Sequence, residues 1–351
     1  MKKKYLERKR IADIENAKYE MQRNVRVELY TPDFIEKIEK SFNLSKLARY
    51  PDLSILTKKI AEFNNIQENQ ILITSGIDSG IKTAFEMLTE EKKSKAIYLT
   101  PTYAMYKVYA DAFEVEMIAV ESENSLSINY KSILEKIDSN IDILFLPNPH
   151  IPIEHIFSTK EIEEILIKAE KHNVIVFVDE AYFMFGSETM ISYIEKFENL
   201  IVARTFSKGF GLPAIRLGFL VANEKLISYL SSRRFAHETN FLSSEIAIWA
   251  MDNFNLFESY IKEIQESKEW IRNKLSELGF NVFGEKTNTL LIDFSSSEKA
   301  KNFAKLLRSD GFIVKSNIQK PFDKYILFTI GKMETMELFY QAVQKYIKEI
   351  F

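Results

Sequence analysis

Cysteine is absent from this sequence of 351 residues, and histidine is scarce. Without cysteine the chain has no disulfide framework, no thiolate metal site and no cysteine nucleophile. The four histidines do not follow HExxH or a similar metal-binding spacing; they are His150, His155, His172 and His237. We therefore expect a functional site that uses no metal ion.

Long hydrophobic runs and an excess of one charge are missing as well. No stretch of about 18 apolar residues occurs, and no apolar segment follows the basic N-terminus MKKKYLERKR, which argues against membrane spans and secretion signals. The 47 basic and 50 acidic residues give a net charge of −3, which does not favour nucleic acid as a partner. The sequence predicts a cytoplasmic protein that binds neither membranes nor nucleic acids.

Short apolar runs alternate with amphipathic helical patterns through the middle of the chain. Near-continuous apolar strands, such as VIVFV at 174–178, predict a mainly parallel sheet between helices and therefore an α/β fold. From about residue 253 a long charged helix and further short strands predict a small α+β domain. We place the large domain at 31–252 and the small domain at 1–30 and 253–351.

Glycine is rare: the chain has ten glycines among its 351 residues, whereas the usual share of about 7% would give more than twice as many. Five of the ten lie in two segments. The first segment, ITSGIDSGI, reads as a strand, a turn at Gly76 and a helix that starts near Ile77. The N–H groups of that helix's first turn form an anion site. Its spacing matches neither GxGxxG nor GxxxxGK[ST], which argues against a Rossmann or P-loop site.

The second glycine-rich segment, TFSKGFGLPAIRLGF, also follows a strand. Its polar side chains can surround a phosphate while one lysine amine stays free; they are Thr205, Ser207, Lys208 and Arg216. In VDEAYFMF, Asp179 ends another strand, where its carboxylate could hold a protonated ring nitrogen or a metal. Both segments predict polar groups at the edge of the sheet where ligands bind.

The order of the motifs SG-x-D, PTYAMY, NP-x-x-P, DEAY and RTFSK-x-FGL-x-x-xR-x-G resembles the class I/II aminotransferases of pyridoxal-phosphate (PLP) fold type I. The chain is most similar to the histidinol-phosphate aminotransferase group, whose LARYPD-type segment occurs at 47–52. The motifs cover roughly residues 45–222. The resemblance implies a large PLP-binding domain, a small domain, and amino transfer to or from a small keto or amino substrate, phosphorylated or non-standard.

The resemblance also implies roles for individual residues. Lys208 would form the Schiff base with PLP and carry protons, Asp179 would pair with the ring nitrogen, and Tyr182 would donate to the phenolate oxygen. Tyr103 would stack on the ring, and Tyr50 would reach the phosphate of the neighbouring subunit of a homodimer. The phosphate would be held by Gly76, the amides of Ile77 and Asp78, Thr205, Ser207 and Arg216.

Each of these residues also has an ordinary structural interpretation. Lys208 alone could be a solvated surface residue, Asp179 a helix N-cap, and Arg216 an ion-pair partner. Tyr103 and Tyr106 could be half-buried aromatic residues, and the RYPD segment could be a turn. Five segments in the right order favour the PLP interpretation over these separate ones.

The loop NPHIPIE departs from the family pattern NPNNPTG. Ile151 replaces the asparagine that bonds the phenolate oxygen of the cofactor, and Glu154 replaces the glycine. An apolar side chain cannot donate a hydrogen bond. Either Tyr182 serves that oxygen alone, or Asn148 or His150 reaches it through a shifted loop.

The run ILFTIG departs from the family pattern at Leu327, where the family has an arginine that binds the substrate α-carboxylate. Either common α-amino acids are poor substrates or another cation replaces the arginine, with Lys332, Arg234 and Arg49 as candidates. Phospho-amino-acid decarboxylases share this fold and motif set, so a PLP-dependent decarboxylase is the main alternative. A non-catalytic PLP-binding protein is the third interpretation.

Overall fold

A computed structural model describes residues 17–88, 94–123 and 126–349. The strands of this part of the chain are β1 (Tyr19–Glu20), β2 (Ile71–Thr74), β3 (Lys95–Thr100), β4 (Glu116–Glu121), β5 (Ile143–Pro147), β6 (Ile175–Asp179), β7 (Leu200–Thr205), β8 (Gly218–Val221), β9 (Val282–Phe283), β10 (Thr289–Asp293), β11 (Phe312–Ile313) and β12 (Tyr325–Thr329). The α-helices are α1 (Pro32–Glu39), α2 (Ser54–Asn64), α3 (Gly76–Glu86), α4 (Met105–Ala112), α5 (Tyr130–Lys136), α6 (Thr159–Lys171), α7 (Glu224–Ser231), α8 (Phe241–Asp252), α9 (Phe254–Glu277), α10 (Ser297–Ser309) and α11 (Met333–Tyr346).

By its internal contacts the chain divides into two compact units. The large unit comprises residues 30–151 and 155–257, and the small unit comprises, within the described ranges, 17–29, 152–154 and 258–349. The second boundary therefore falls after residue 257, where the sequence placed it after residue 252. The short loop 152–154, which the sequence placed in the large domain, belongs to the small unit by its contacts.

The large unit is built on a seven-stranded sheet with the order β2-β8-β7-β6-β5-β3-β4. Neighbouring strands are parallel except at β8, which is antiparallel to both β2 and β7. Because β2 and β7 both oppose β8, six strands point the same way and end at one edge of the sheet. This mainly parallel sheet confirms the predicted α/β fold.

The strands form because their apolar runs are buried on both faces of the sheet. Every residue of β5 and β7 is buried, which explains the continuous rather than alternating hydrophobic pattern. On one face Phe145 and Phe177 pack in a core with Ile81 and Phe85 of α3. Helix α6 lies between β5 and β6 in the chain, and its N-terminus is closed by a capping box between Ser158 and Glu161.

The small unit contains the antiparallel sheet β12-β10-β9 and the parallel pair β1-β11. Strand β11 is short and ends at Ile313. Beyond it, Lys315 forms an isolated antiparallel bridge with Leu327 of β12, and each main-chain N–H donates to the other carbonyl at 2.9 Å. In the described part of the chain, no helix is long and apolar enough to cross a membrane.

A buried ion pair joins Glu154 and Lys268 within the small unit, with Nζ 3.4 Å from Oε1. Thr287 Oγ1 donates to Glu154 Oε2 at 2.7 Å, and the main-chain N–H of Glu285 donates to Oε1. Lys268 Nζ also donates to the carbonyls of Glu285 and Thr287, each at 2.9 Å. Burial raises the pKa of Glu154, so its ionised form depends on these donors.

Lys268→Met should destabilise the protein by about 3 kcal/mol, because it leaves the Glu154 carboxylate buried without a cation. Urea unfolding of both proteins measures this difference. The control is Lys274→Met, which breaks the exposed pair with Glu277 and should cost less than about 1 kcal/mol. Equal, small effects of the two substitutions would contradict the role assigned to Lys268.

Candidate active site

The candidate site lies at the edge of the large sheet where six strands end. In the register of the sheet, Pro147 of β5 lies beside Asp179 of β6, and Asp179 lies beside Ala203 of β7. Thr205 lies beside Gly218, so the segment that precedes β8 reaches the same edge. Loops from separate parts of the sequence therefore meet there, at the usual ligand crevice of an open α/β sheet.

The N-terminus of α3 forms the anion-binding part of the site. Gly76 has a φ of +75°, and a Cβ at this position would lie 3.1 Å from Nη2 of Arg216. A Cβ at Gly218 would lie 2.9 Å from the carbonyl carbon of Gly76, so both positions require glycine. The side chain of the N-cap residue Ser75 makes no capping hydrogen bond to the first-turn amides, so these amides could bind an anion.

Asp78 connects two of the predicted cofactor-binding residues. Its Oδ1 accepts a hydrogen bond of 2.7 Å from Tyr103 Oη, and its Oδ2 accepts one of 3.1 Å from Arg216 Nη2. The sequence assigned only the main-chain amide of Asp78 to the site. Its side chain therefore fixes where Tyr103 and Arg216 stand at the start of α3.

Two hydroxyl groups follow at the end of β7. Thr205 Oγ1 lies 3.0 Å from Ser207 Oγ and accepts a hydrogen bond of 3.1 Å from the Ser207 main-chain N–H. Both side chains are buried, whereas Arg216 is exposed in the left-handed conformation with a φ of +50°. Helix amides, hydroxyls and a guanidinium group are the donor set that binds a phosphate.

Asp179 is a buried carboxyl group at the last position of β6. Its Oδ2 accepts a hydrogen bond of 2.7 Å from Tyr106 Oη, and its Oδ1 accepts one of 3.0 Å from the Ala181 main-chain N–H. Burial raises the pKa of Asp179 to about 6, while these two bonds and the charge of Lys208 act in the opposite direction. A cationic ring nitrogen beside Asp179 would favour the ionised carboxylate still further.

Lys208 is half-buried in the turn after β7, and its Nζ lies 5.8 Å from the centre of the Tyr182 ring. The turn packs closely on the loop that follows β6. A Cβ at Gly209 would lie 2.6 Å from the Cβ of Met184, so a larger residue after Lys208 would require Met184 to shift. This packing sets the position of the lysine relative to Tyr182.

We call these residues the carboxyl-edge cluster: Asp78, Tyr103, Asp179, Tyr182, Thr205, Ser207, Lys208 and Arg216. Together they offer the donors of a phosphate site, a carboxylate that could pair with a ring nitrogen and an amine that could react with a carbonyl carbon. PLP has the three groups that match these functions. The donor set of the described residues therefore fits PLP.

Asn148 and His150, the two residues of the NPHIPIE loop that could reach the phenolate oxygen, make contacts outside the carboxyl-edge cluster. Asn148 Nδ2 donates to the Phe157 carbonyl at 3.1 Å, and its Oδ1 accepts from the Phe157 N–H at 2.9 Å, so the amide clamps this loop. Its role towards the cofactor stays a prediction. His150 is fully buried, and burial lowers its pKa to about 3, so this imidazole is neutral.

Two further predicted residues lie outside the contacts of the cluster. Tyr50 is 77% exposed and its ring stacks on His237, with 4.0 Å between centroids. Its reach into a neighbouring subunit stays a prediction. Of the candidate cations, Lys332 pairs with Glu263 at 2.9 Å.

Tyr106 is a contact of the candidate site that the sequence did not predict. It is fully buried rather than half-buried, and its hydroxyl bonds the carboxylate assigned to the ring nitrogen. One signal for it was available, since Tyr103 and Tyr106 stand three residues apart at the start of a helix. That spacing does not indicate which carboxylate the second tyrosine meets.

Comparison with known proteins identifies the class. Residues 24–341 match the family described as Aminotransferase class I and II, so the chain belongs to that family. It is a PLP-dependent aminotransferase of fold type I. It is 34% identical to a histidinol-phosphate aminotransferase of Buchnera aphidicola subsp. Cinara cedri over 289 residues, which cover 80% of either chain.

Solved structures of low sequence identity share the fold. Histidinol-phosphate aminotransferase from Sinorhizobium meliloti, in complex with pyridoxal-5'-phosphate, has a TM-score of 0.87 at 17% identity, over 95% of this chain and 92% of that one. L-Threonine-O-3-phosphate decarboxylase from Porphyromonas gingivalis has a TM-score of 0.79 at 21% identity, over 94% and 99%. The fold alone therefore does not separate transamination from decarboxylation.

Borohydride reduction of the protein with PLP should fix one cofactor per chain at Lys208, because its amine is the nucleophile of the cluster. Mass spectrometry of the digested protein locates the label. Lys208→Ala should take up no label, and the surface control Lys225→Ala should be labelled like the wild type. A wild type that stays unlabelled, or a label on another lysine, would refute this assignment.

Asp179 should make the apoprotein less stable as the pH rises. Its folded pKa of about 6 lies above the ordinary 3.8, so its contribution is fully present below pH 4 and is lost as the pH rises through 6. This shift corresponds to about 3 kcal/mol. In urea unfolding, the stability of Asp179→Asn should not fall over this pH range. The control Asp138→Asn, at an exposed position, should show the same fall as the wild type. A pH dependence unchanged in Asp179→Asn would contradict the assignment.

Proposed function

We propose that this aminotransferase takes its amino group from a small phosphorylated amine that has no α-carboxylate. The observation that carries the proposal is Leu327, an apolar residue that is 1% exposed and stands where the resemblance places the carboxylate-binding arginine. The name of the related histidinol-phosphate aminotransferases supports it, because histidinol phosphate is a phosphorylated amino alcohol. Such a substrate needs a cation for its phosphate but none for a carboxylate.

We propose these roles for residues of the carboxyl-edge cluster. Lys208 would hold the cofactor through its amine, and the same amine, when free, would take the proton of the substrate Cα onto Nζ. When bound, PLP supplies an electron sink for the charge left on that carbon. Asp179 pairs with the ring nitrogen, and Tyr182 donates to the phenolate oxygen.

The remaining predicted residues are proposed to hold the cofactor in place. Tyr103 covers the ring face, and the phosphate is bound at the α3 N-terminus by Gly76, Ile77, Asp78, Thr205, Ser207 and Arg216. In this set the main-chain N–H groups of α3, the two hydroxyl groups and the guanidinium group are the hydrogen-bond donors, whereas the Asp78 carboxylate is an acceptor. On phosphate binding, the Arg216 guanidinium group would either give up its hydrogen bond to Asp78 or donate to Asp78 and the phosphate at once.

Lys315 is our proposed cation for the anionic end of the substrate. It lies directly opposite Leu327 in a hydrogen-bonded antiparallel pair, so both side chains are on the same face. Its ammonium group has no hydrogen-bond or ion-pair partner among the described residues, and burial lowers its pKa. Lys332, in contrast, already pairs with Glu263.

We also propose a cytoplasmic homodimer in which Tyr50 contributes to the neighbouring site. Leu44, Leu47 and Tyr50 lie in one short segment, and each has more than half of its surface exposed. Exposed apolar side chains at this density are typical of a protein interface. Mass measurement in solution tests the oligomeric state, and a monomer would refute it.

Histidinol phosphate should convert the cofactor of the holoenzyme to its aminated form in a single turnover, which the absorbance change reports. Unphosphorylated histidinol should do so with a kcat/KM about 100-fold lower, because the charged contact is missing. L-Threonine O-3-phosphate serves as the control for the decarboxylase. Release of CO2 from it without an aminated cofactor would favour decarboxylation instead.

Lys315→Met should lower kcat/KM for histidinol phosphate about 30-fold through KM, since it removes the charge beside Leu327. Lys315→Arg should keep most of the activity because it keeps the charge. Lys332→Met is the matched control and should leave KM unchanged. An unchanged KM in Lys315→Met, or a larger change in Lys332→Met, would refute the role of Lys315.

A further inference from the structure

Tyr106 contacts the one carboxylate of the site that the cofactor ring requires. The residue lies in the first turn of α4, is fully buried, and donates from Oη to Asp179 Oδ2 at 2.7 Å. The other oxygen, Oδ1, accepts from the Ala181 N–H. Two donors from different elements therefore fix the plane of this carboxylate.

The aromatic ring of Tyr106 has a packing role, but packing does not require its hydroxyl. The ring lies 5.0 Å from that of Phe145 and meets the ring of Tyr103 edge-on at 6.3 Å. A phenylalanine would fill the same space in this apolar core. A buried hydroxyl is unfavourable without a partner, and its partner here is Asp179.

The hydrogen bond acts on the charge of Asp179. Burial favours the neutral carboxylic acid and raises its pKa, whereas the Tyr106 hydroxyl stabilises the anion. Three other groups that face Asp179 are the Ala181 N–H, Lys208 after β7 and Asp78 of α3. The Ala181 N–H and Lys208 favour the anion, whereas Asp78 disfavours it. The Tyr106 hydrogen bond is therefore one of three interactions that stabilise the anion.

Tyr106 itself remains a donor across the working pH range. Burial and the negative charge of Asp179 hold the pKa of its hydroxyl well above 10. The proton of this hydrogen bond therefore stays on the tyrosine oxygen. Asp179 therefore accepts this hydrogen bond, and the bond favours its anionic form, which is the form that can pair with a cationic donor.

We propose that Tyr106 is a positioning residue for the cofactor: it holds Asp179 ionised and oriented so that the ring nitrogen of PLP keeps its proton. The proposal goes beyond the substrate assignment and does not depend on it. If Tyr106 is changed, the more basic Asp179 draws the proton from the ring nitrogen. The ring then loses the positive charge that makes it an electron sink.

The test is Tyr106→Phe in the holoenzyme, reconstituted with PLP that carries 15N at the ring nitrogen. We expect the 15N chemical shift at pH 7.5 to move from the protonated towards the unprotonated range, and the PLP dissociation constant to rise about tenfold. The control, Tyr109→Phe, removes a hydroxyl from the same helix and should keep both values. A wild-type 15N shift in Tyr106→Phe overturns the proposal.

A double-mutant cycle separates this role from a general loss of folding. In the Asp179→Asn background, Tyr106→Phe should no longer change the PLP dissociation constant, because the carboxylate it acts through is gone. An equal loss of affinity in both backgrounds overturns the proposal. The measurement uses cofactor binding alone, so it fails or succeeds independently of which amine the enzyme accepts.

Discussion

The common direction of six strands is the constraint on which the active site depends. Parallel strands require helical crossovers, so the loops after β2, β3, β5, β6 and β7 all arise at one edge. The antiparallel strand β8 adds the segment that precedes it, which is how Arg216 reaches the start of α3. Groups that are far apart in the sequence, from residue 76 to residue 216, are therefore brought together by short loops at the ends of neighbouring strands.

Electrostatics within this edge are set by a balance between burial and hydrogen bonding. Asp179 is buried deeply enough for burial to favour the neutral acid, and the surrounding donors offset part of that effect. Asp78, the second carboxylate, is paired with Arg216 and bonded to Tyr103. Within the cluster Asp78 therefore pairs with Arg216, whereas Asp179 is influenced by the nearby charge of Lys208.

Much of the fold could be predicted from the sequence, because buried parallel strands carry continuous apolar runs. The strand predicted at VIVFV, 174–178, is β6 (Ile175–Asp179), one residue further along, and the motif that contains Asp179 begins at its end. The contacts of Tyr106 with Asp179 and of Lys315 with Leu327 could not be predicted. Both join residues of separate elements, and only strand register and helix orientation bring them together.

Glu154 has a consequence for how this sequence can change. It occupies a left-handed backbone position where glycine carries no strain, and its carboxylate is enclosed by Lys268, Thr287 and the Glu285 amide. Replacing either charged partner alone leaves the other buried and uncompensated. A glycine at position 154 would relieve the backbone strain but would leave Lys268 buried without its counter-ion, so the residues suited to positions 154 and 268 depend on each other.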